Sequence, residues 1–312
     1  MYSVTRWYGR KGAAMSALGG VDMALWDLRG KAAGKPLYQL LGACRDRVPI
    51  YASALLWKDD PAQLAEEAKR HIANGFRAMK TRLGRNYDYD SAALRLLREA
   101  IGPDIRLHVD GNARYSLAQA RRLLPEFQAA NIFWLEEPFL PEDVDNYLAL
   151  RPDLGGIPLA AGENEFGEQG FRELIDREMV DIIQPDCCRA GGISECRRAA
   201  DLAAKAGLRV APHTWSDAVA LAGNMHVVAS LPNSITVEMD QTGNPLIEEL
   251  LSEPFEVREG EVAMPQGPGL GIELNDAVVE RYALPPGEPV PAGNYSDMVF
   301  GRAAYAPARP YE

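Results

Sequence analysis

Six acidic or imidazole side chains recur along the chain at intervals of 23 to 27 residues, each just after a short apolar run. They are Asp110, Glu136, Glu163, Asp186, His213 and Glu238. Independent surface charges would not fall at the same point of successive units. If each run is a strand of one parallel barrel, these side chains meet at its carboxyl-terminal mouth, where the catalytic residues of such barrels gather.

Three of these side chains, Asp110, Glu136 and Glu163, come from adjacent predicted strands. Carboxylates brought together in a partly dry mouth repel one another unless a cation lies among them. An all-oxygen ligand set favours Mg2+ over zinc, which prefers nitrogen and sulfur, and Mn2+ is an acceptable substitute. The simpler alternative, that each acid caps the following helix, explains a single position better than it explains all three.

Asp186 and His213 belong to neighbouring predicted strands, which predicts a carboxylate–imidazole dyad acting as general base or acid. The other three histidines, His71, His108 and His226, are expected to be packed side chains. Among them, His108 lies two residues before the acid of its strand, and therefore on the same face, one layer deeper.

Lys80 and Arg82 share one face of the second predicted strand and supply positive charge in an acidic chain. We expect them to hold a substrate carboxylate, with a solvated strand end as the alternative. Removing a proton beside a carboxylate produces an enediolate, which needs a divalent cation and preorganised donors. The predicted residues supply both requirements.

Eight short apolar runs alternate with amphipathic segments, which predicts parallel strands joined by right-handed helical crossovers. The runs are 48–54, 76–83, 105–109, 133–135, 157–161, 180–184, 208–211 and 235–237, and the helical segments are 61–73, 92–101, 117–130, 168–178, 193–206 and 218–230. Eight strands favour a closed α/β barrel of the TIM type. A doubly wound sheet is the alternative, but no glycine-rich phosphate turn follows an early strand.

The composition limits the possible partners. A net charge of −11 argues against nucleic acid. No apolar run reaches the length of a membrane span, and the first eleven residues lack the features of a signal peptide. The four cysteines contain no C-x-x-C pair, so we expect free thiols and a soluble cytoplasmic protein.

Residues 19–274 resemble the mandelate racemase subgroup of the enolase superfamily. The resemblance rests on Lys80-x-Arg82, Val109-Asp110-Gly111-Asn112, Trp134-Leu135-Glu136-Glu137-Pro138, Gly162-Glu163-Asn164, Pro185-Asp186 with Gly191-Gly192, Pro212-His213-Thr214-Trp215 and Glu238-Met239-Asp240. It implies a (β/α)7β barrel with Asp110, Glu136 and Glu163 as Mg2+ ligands and His213 with Asp186 as the dyad.

The resemblance also assigns further roles at the mouth. Lys80 would stabilise the enediolate, and Glu238 would bond to the substrate carboxylate; we count both, with Arg82 and the dyad, as catalytic. Substrate contacts are expected from Asn112, Lys80, Arg82 and Glu238. The partner is a small acid sugar, and a homo-oligomer is expected.

Two departures from the family pattern affect the expected activity. Racemising members carry a second lysine where this chain has Arg82, and arginine is a poor base. A two-base racemase is therefore disfavoured, whereas His213 alone can serve elimination or cycloisomerisation. The other departure concerns the N-terminal capping domain, of which 1–46 matches only the closing helices, so we expect either a chain begun at an internal methionine or a lost lid, with weaker exclusion of water.

The predicted domains are 1–46 as a helical remnant of the cap, 47–255 as the catalytic barrel, and 256–312 as a segment returning to the cap, with an irregular tail from residue 284. The leading hypothesis is dehydration of an aldonate or aldarate to a 2-keto-3-deoxy acid. The alternatives are isomerisation of a sugar lactone or anhydro-sugar acid, and a truncated barrel without catalytic activity.

Overall fold

The computed structural model describes residues 1–283 and contains eight parallel strands in chain order. They are β1 (Arg47–Ser53), β2 (Ala78–Arg82), β3 (Arg106–Asp110), β4 (Ile132–Glu136), β5 (Leu159–Ala161), β6 (Ile182–Ile183), β7 (Arg209–Val210) and β8 (Val237–Asp240). All eight predicted strands are present. Several are shorter than their apolar runs, since β6 and β7 each keep only two residues in the ladder.

The sheet closes on itself. Strands β1 to β7 pair in sequence, and β8 returns to pair with β1, with Ser53 opposite Asp240. On its other side, the segment leading into β8 joins β7, because the amide of Ile235 donates to the carbonyl of Val210 at 2.9 Å. The predicted barrel is confirmed.

Seven helices follow the first seven strands and make the fold a (β/α)7β barrel. These seven are α4 (Ala62–Ala73), α5 (Tyr87–Ile101), α6 (Leu117–Ala129), α7 (Val144–Leu150), α8 (Gly167–Asp176), α9 (Ile193–Lys205) and α10 (Ala218–Ala229), and a 3-10 turn at Arg151–Asp153 follows α7. The other helices of the described residues are α1 (Tyr2–Thr5), α2 (Ala13–Ala33), α3 (Leu37–Leu40), α11 (Pro245–Glu248) and α12 (Asp276–Tyr282). Helix α5 begins earlier than predicted because the side chain of Asn86 accepts the amide of Tyr89 at 2.9 Å. The short helix α7 was not predicted.

The N-terminal helices pack on the outside of the barrel. Asp22 of α2 accepts the backbone amide of Ser194 at the start of α9, at 2.9 Å. Gly19 allows this close approach, because a Cβ there would lie 2.5 Å from the carbonyl oxygen of Cys187. The N-terminal helices are therefore anchored next to the loop that carries the dyad carboxylate.

The last described segment forms a hairpin, β9 (Val257–Arg258) and β10 (Glu261–Ala263), and then runs back to α2. Strand β10 pairs antiparallel with the first residues of β1, and the amide of Leu270 donates to Asp27 of α2 at 2.8 Å. The hairpin was not predicted. The division into 1–46, 47–255 and 256–312 stays a prediction, and the tail from residue 284 lies outside the described residues.

Apolar side chains pack on both faces of the barrel sheet. A small cluster fills the barrel: Tyr51, Ala78, Trp134, Ala160, Ile182 and Ala211. A much larger one lies between strands and helices. His108 is buried inside the barrel and stacks on Trp134 with ring centroids 3.7 Å apart. Among residues 1–283, no helix combines the length and apolar character needed to cross a membrane.

Candidate active site

The sheet register places the charged strand ends side by side. Arg82 pairs with Asp110, and Asp110 pairs with Glu136. Glu136 in turn pairs with Ala160 of β5, and Glu163 follows that strand by two residues. Parallel pairing with little offset therefore collects side chains that are far apart in the sequence at one mouth.

Asp110, Glu136 and Glu163 form a carboxylate cluster in which one oxygen from each lies within 4.8 Å of the others. Asp110 and Glu136 are buried, and Glu163 is half-buried. The backbone amide of Asn112 fixes Asp110 by donating to Oδ1 at 2.8 Å, with Asn112 at a φ of 43°. Oδ2 of Asp110 is buried and accepts no hydrogen bond from the described residues.

The electrostatics of the cluster indicate excess negative charge. Burial raises the pKa of Glu136 to about 7, because Lys80 offsets only part of the desolvation and of the repulsion from Asp110. Burial also raises the pKa of Asp110, and Glu163 adds to the shift. A second positive charge among these oxygens would relieve both effects. The donor set consists of carboxylate oxygens, which suits a hard divalent cation.

Lys80 lies beneath this cluster and is fully buried. Its Nζ is 2.6 Å from Glu136 Oε1, 3.0 Å from Glu238 Oε1 and 3.5 Å from Asp110 Oδ2. Burial favours the neutral amine, but the three carboxylates outweigh it and hold the pKa of Lys80 well above its ordinary value. The side chain is a fixed ammonium group that can donate to a substrate oxygen, and it is not a solvated strand end.

His213 and Asp186 form a hydrogen-bonded pair across β6 and β7. Nδ1 of His213 is 2.8 Å from Oδ2 of Asp186, and Nε2 is 3.5 Å from Oε2 of Glu163. Burial opposes protonation, but the carboxylates of Glu163, Glu238 and Asp186 raise the pKa of His213 to about 9. The free nitrogen of the dyad thus faces the carboxylate cluster.

Glu238 joins the two halves of the site. Its Oε2 accepts the backbone amide of Thr214 at 2.9 Å, while Oε1 contacts Lys80. Burial raises its pKa, but Lys80, His213 and Arg82 prevail and lower it to about 2. The group is therefore an ionised acceptor between the ammonium of Lys80 and the dyad strand.

Arg82 is also buried, with 3% of its surface exposed. Its guanidinium carbon lies 4.0 Å from the ring centroid of Trp215, and its Nε lies 3.7 Å from Asp110 Oδ2. The structure thus brings the charged residues and the histidine predicted for the site to the mouth, and Asn112 contacts it through its backbone amide. Arg82 differs from the others in stacking on an aromatic side chain.

The sequence did not reveal Asn224, a buried side chain of helix α10. Its Nδ2 donates to the carbonyl of His213 at 3.0 Å and to Thr214 Oγ1 at 2.9 Å, and it lies 3.3 Å from Asp186 Oδ1. Its Oδ1 accepts the amide of Cys187 at 3.1 Å. The sequence did contain a signal for this residue, namely a side-chain amide in a helix that is otherwise mostly apolar. Such an amide predicts specific partners, since buried polar groups require them.

Glu137 is a further buried acid, which lies within one of the sequence motifs without a predicted role. It lies 2% exposed beside the cluster with a φ of 30°, and Asn164 Nδ2 donates to its Oε2 at 2.7 Å. Arg189 donates in turn to Asn164 Oδ1 at 2.8 Å. This chain of contacts supports the loop that carries Glu163.

Comparison with known proteins agrees with this geometry. The family model described as "Enolase C-terminal domain-like" matches residues 63–278, and that of the "Mandelate racemase / muconate lactonizing enzyme, N-terminal domain" matches residues 2–42. The chain belongs to the mandelate racemase and muconate lactonizing enzyme family of the enolase superfamily, and it is an enzyme.

Within that family, the chain is 36% identical to D-galactarolactone cycloisomerase of Agrobacterium fabrum, over 91% of this chain and 78% of the relative. It is 33% identical to arabinonate dehydratase of Saccharolobus solfataricus, over 90% and 76%. The crystal structure of 3,6-anhydro-D-galactonate cycloisomerase from Zobellia galactanivorans superposes with a TM-score of 0.85 at 36% identity, covering 90% of this chain and 79% of that one.

Proposed function

We propose that the protein removes the proton alpha to the carboxylate of an acid sugar, with Mg2+, and dehydrates an aldonate or aldarate to a 2-keto-3-deoxy acid. The observation that carries the proposal is the position of the dyad against the carboxylate cluster, with His213 Nε2 3.5 Å from Glu163. The proposed base and the proposed cation ligands thus lie next to each other, so a substrate bound by the cation would present its alpha carbon close to His213.

Asp110, Glu136 and Glu163 are the residues that would hold the cation. The fit rests on three convergent carboxylates, on the raised pKa of Glu136, and on the buried oxygen of Asp110 that accepts no hydrogen bond from the described residues. When bound, Mg2+, or Mn2+ in its place, would polarise the substrate carboxylate and offset the charge that develops there.

His213 is the proposed base. Asp186 holds the proton on Nδ1, which leaves Nε2 directed at the substrate. A cation held by Glu163 would offset the charge of that carboxylate, so the pKa of His213 would be raised less and Nε2 would be able to accept a proton. Lys80 then donates to the oxygen on which negative charge accumulates, and Glu238 keeps Lys80 charged.

The same imidazole also assists the elimination of water. After the alpha C–H bond breaks, the C–O bond at the beta carbon breaks, and the protonated His213 returns its proton to the departing hydroxyl, which leaves as water. The resulting enol becomes the 2-keto acid. Arg82 cannot serve as an opposite base because its guanidinium stays protonated, so racemisation is not favoured.

Cycloisomerisation is the second candidate, and the 36% identity to two cycloisomerases supports it. The residues would act alike. If the departing oxygen belongs to a ring of the substrate, it stays attached, and the product keeps the mass of the substrate.

The test is a screen of the purified protein with Mg2+ against aldonates, aldarates, sugar lactones and anhydro-sugar acids, with products identified by mass spectrometry. A keto acid lighter by one water supports dehydration, and an isomer of equal mass supports cycloisomerisation. Mg2+-dependent thermal stabilisation without turnover of any of these acids would contradict both candidate reactions. Size-exclusion chromatography with light scattering tests the further proposal of a homo-oligomer.

A further inference from the structure

The indole of Trp215 lies half-buried at the mouth, in the loop between β7 and α10. Hydrogen bonds fix the backbone on both sides of it. The amide of Thr214 donates to Glu238 at 2.9 Å, and the carbonyl of Ser216 accepts Asn244 Nδ2 at 2.8 Å. The position of this aromatic ring is therefore set by the surrounding structure before any substrate binds.

Arg82 fixes the ring itself. Its guanidinium stacks on Trp215 at 4.0 Å from the ring centroid, while its Nε approaches Asp110 Oδ2 at 3.7 Å. Strands β2 and β7 are separated by β1 and β8, so this contact crosses part of the mouth. The indole is thus held one guanidinium group away from a proposed metal ligand, and two residues from His213.

Because Trp215 lies two residues from His213, a substrate whose alpha carbon faces His213 can extend the rest of its carbon chain along the indole. We propose that Trp215 is a substrate-positioning residue, whose indole forms the apolar wall against which the C–H groups of a hydroxylated carbon chain pack. The inference rests on the proposed function, because it requires an acid with a chain beyond its alpha carbon. Arg82 acts through Trp215 as a positioning residue, and its delocalised planar cation suits stacking where lysine would not.

A comparison of two acids in the presence of Mg2+ tests the wall. D-galactonate carries a polyhydroxylated chain, whereas glycolate keeps only the carboxylate and the alpha hydroxyl. Binding is measured by calorimetry in the His213→Asn background, where turnover does not interfere. We expect Trp215→Leu to weaken the binding of D-galactonate about tenfold, because apolar C–H surface covered by the indole becomes exposed, and to leave the binding of glycolate unchanged.

Trp26→Leu is the matched control. Trp26 is also half-buried and also carries a guanidinium, that of Arg29, at 4.8 Å, but it lies on α2 outside the barrel. It should leave the affinity for both acids unchanged. Equal weakening of both acids by Trp215→Leu would indicate a disturbed carboxylate site and overturn the inference, as would unchanged affinity for D-galactonate. If no acid sugar of the screen binds the parent protein with Mg2+, the proposed function itself fails, which is a distinct result.

The role of Arg82 has its own measurement. Arg82→Lys keeps the charge but loses the planar stack, so acrylamide should quench tryptophan fluorescence more strongly in the variant than in the parent protein. The increase should disappear when Trp215→Phe is added, because the affected indole is then absent. Unchanged quenching in Arg82→Lys, or an increase that survives Trp215→Phe, would show that Arg82 does not hold this ring.

Discussion

Two buried histidines in different layers of the molecule have pKa values shifted in opposite directions, although burial alone lowers both. His213 at the mouth faces carboxylates, and its pKa is raised to about 9. His226, between α10 and the N-terminal helices, accepts the amide of Tyr38 at 3.0 Å and bonds to the carbonyl of Leu270 at 3.0 Å. Burial lowers the pKa of His226 to about 4. The mouth is therefore organised around charge, whereas the outer layer is organised around packing and neutral hydrogen bonds.

The largest effect is expected from removing the mouth histidine. His213→Asn should lower kcat for the acid-sugar substrate by about a thousandfold, the middle of the range for loss of a general base. His226→Gln is the matched control and should keep kcat within a few fold. Steady-state kinetics would decide, and substantial turnover in His213→Asn would refute the assignment of the base.

The packed histidine should instead control stability against acid. Between pH 6.5 and 4 the unfolded chain binds a proton at His226 that the folded protein does not, so stability falls as pH is lowered through this window. The loss reaches about 3 kcal/mol at the acid end. Urea unfolding across this window should show a steeper pH dependence in the parent protein than in His226→Gln. Identical slopes would contradict the neutral buried state.

The three carboxylates at the mouth should make the stability of the protein depend on Mg2+. Mg2+ at 100 times its Kd should stabilise the parent protein by about 2.7 kcal/mol. Glu163→Gln should lose most of that gain because it removes one of three carboxylates. Glu168→Gln, which changes a surface acid paired with Arg172, should retain it. Thermal unfolding with and without Mg2+ measures the difference, and an equal gain in Glu163→Gln would remove that residue from the ligand set.

The smallest effect is expected at Asn224, where the measurement distinguishes positioning of the dyad from stabilisation of the fold. Asn224→Leu leaves the amide of Cys187 and the carbonyl of His213 without their partner, which should cost about 1–3 kcal/mol of stability. It should also lower kcat about tenfold, because a shift of the dyad impairs proton transfer. Asn233→Ala, which loses bonds to Ala200 and Leu208 at the opposite end of the barrel, should reduce stability alone. Equal kcat in both variants would deny Asn224 a positioning role.

The sequence predicted the site best where chemically active side chains lie at the ends of strands. The regular repeat of parallel strands fixes the height of a strand end along the barrel axis without knowledge of side-chain contacts. For this reason the sequence could place Asp110, Glu136 and His213 at one mouth. Helix α7 was missed because its seven residues are too short for a clear period. Asn224 and Trp215 were missed as site residues because their contacts come from strands and loops distant in sequence, which periodicity does not report.

Strand β1 has three neighbours, since it pairs with β2, with β8 and, through its first residues, with β10. During synthesis, the edge of β1 that pairs with β8 stays unpaired until residue 240 has left the ribosome. Most of the barrel is therefore made before this edge finds its partner strand. Barrel closure thus depends on contacts of very large sequence separation, which slow folding and expose the intermediate to aggregation. Because β1 and β8 must pair to close the barrel, the time for which β1 stays unpaired limits the yield of folded protein.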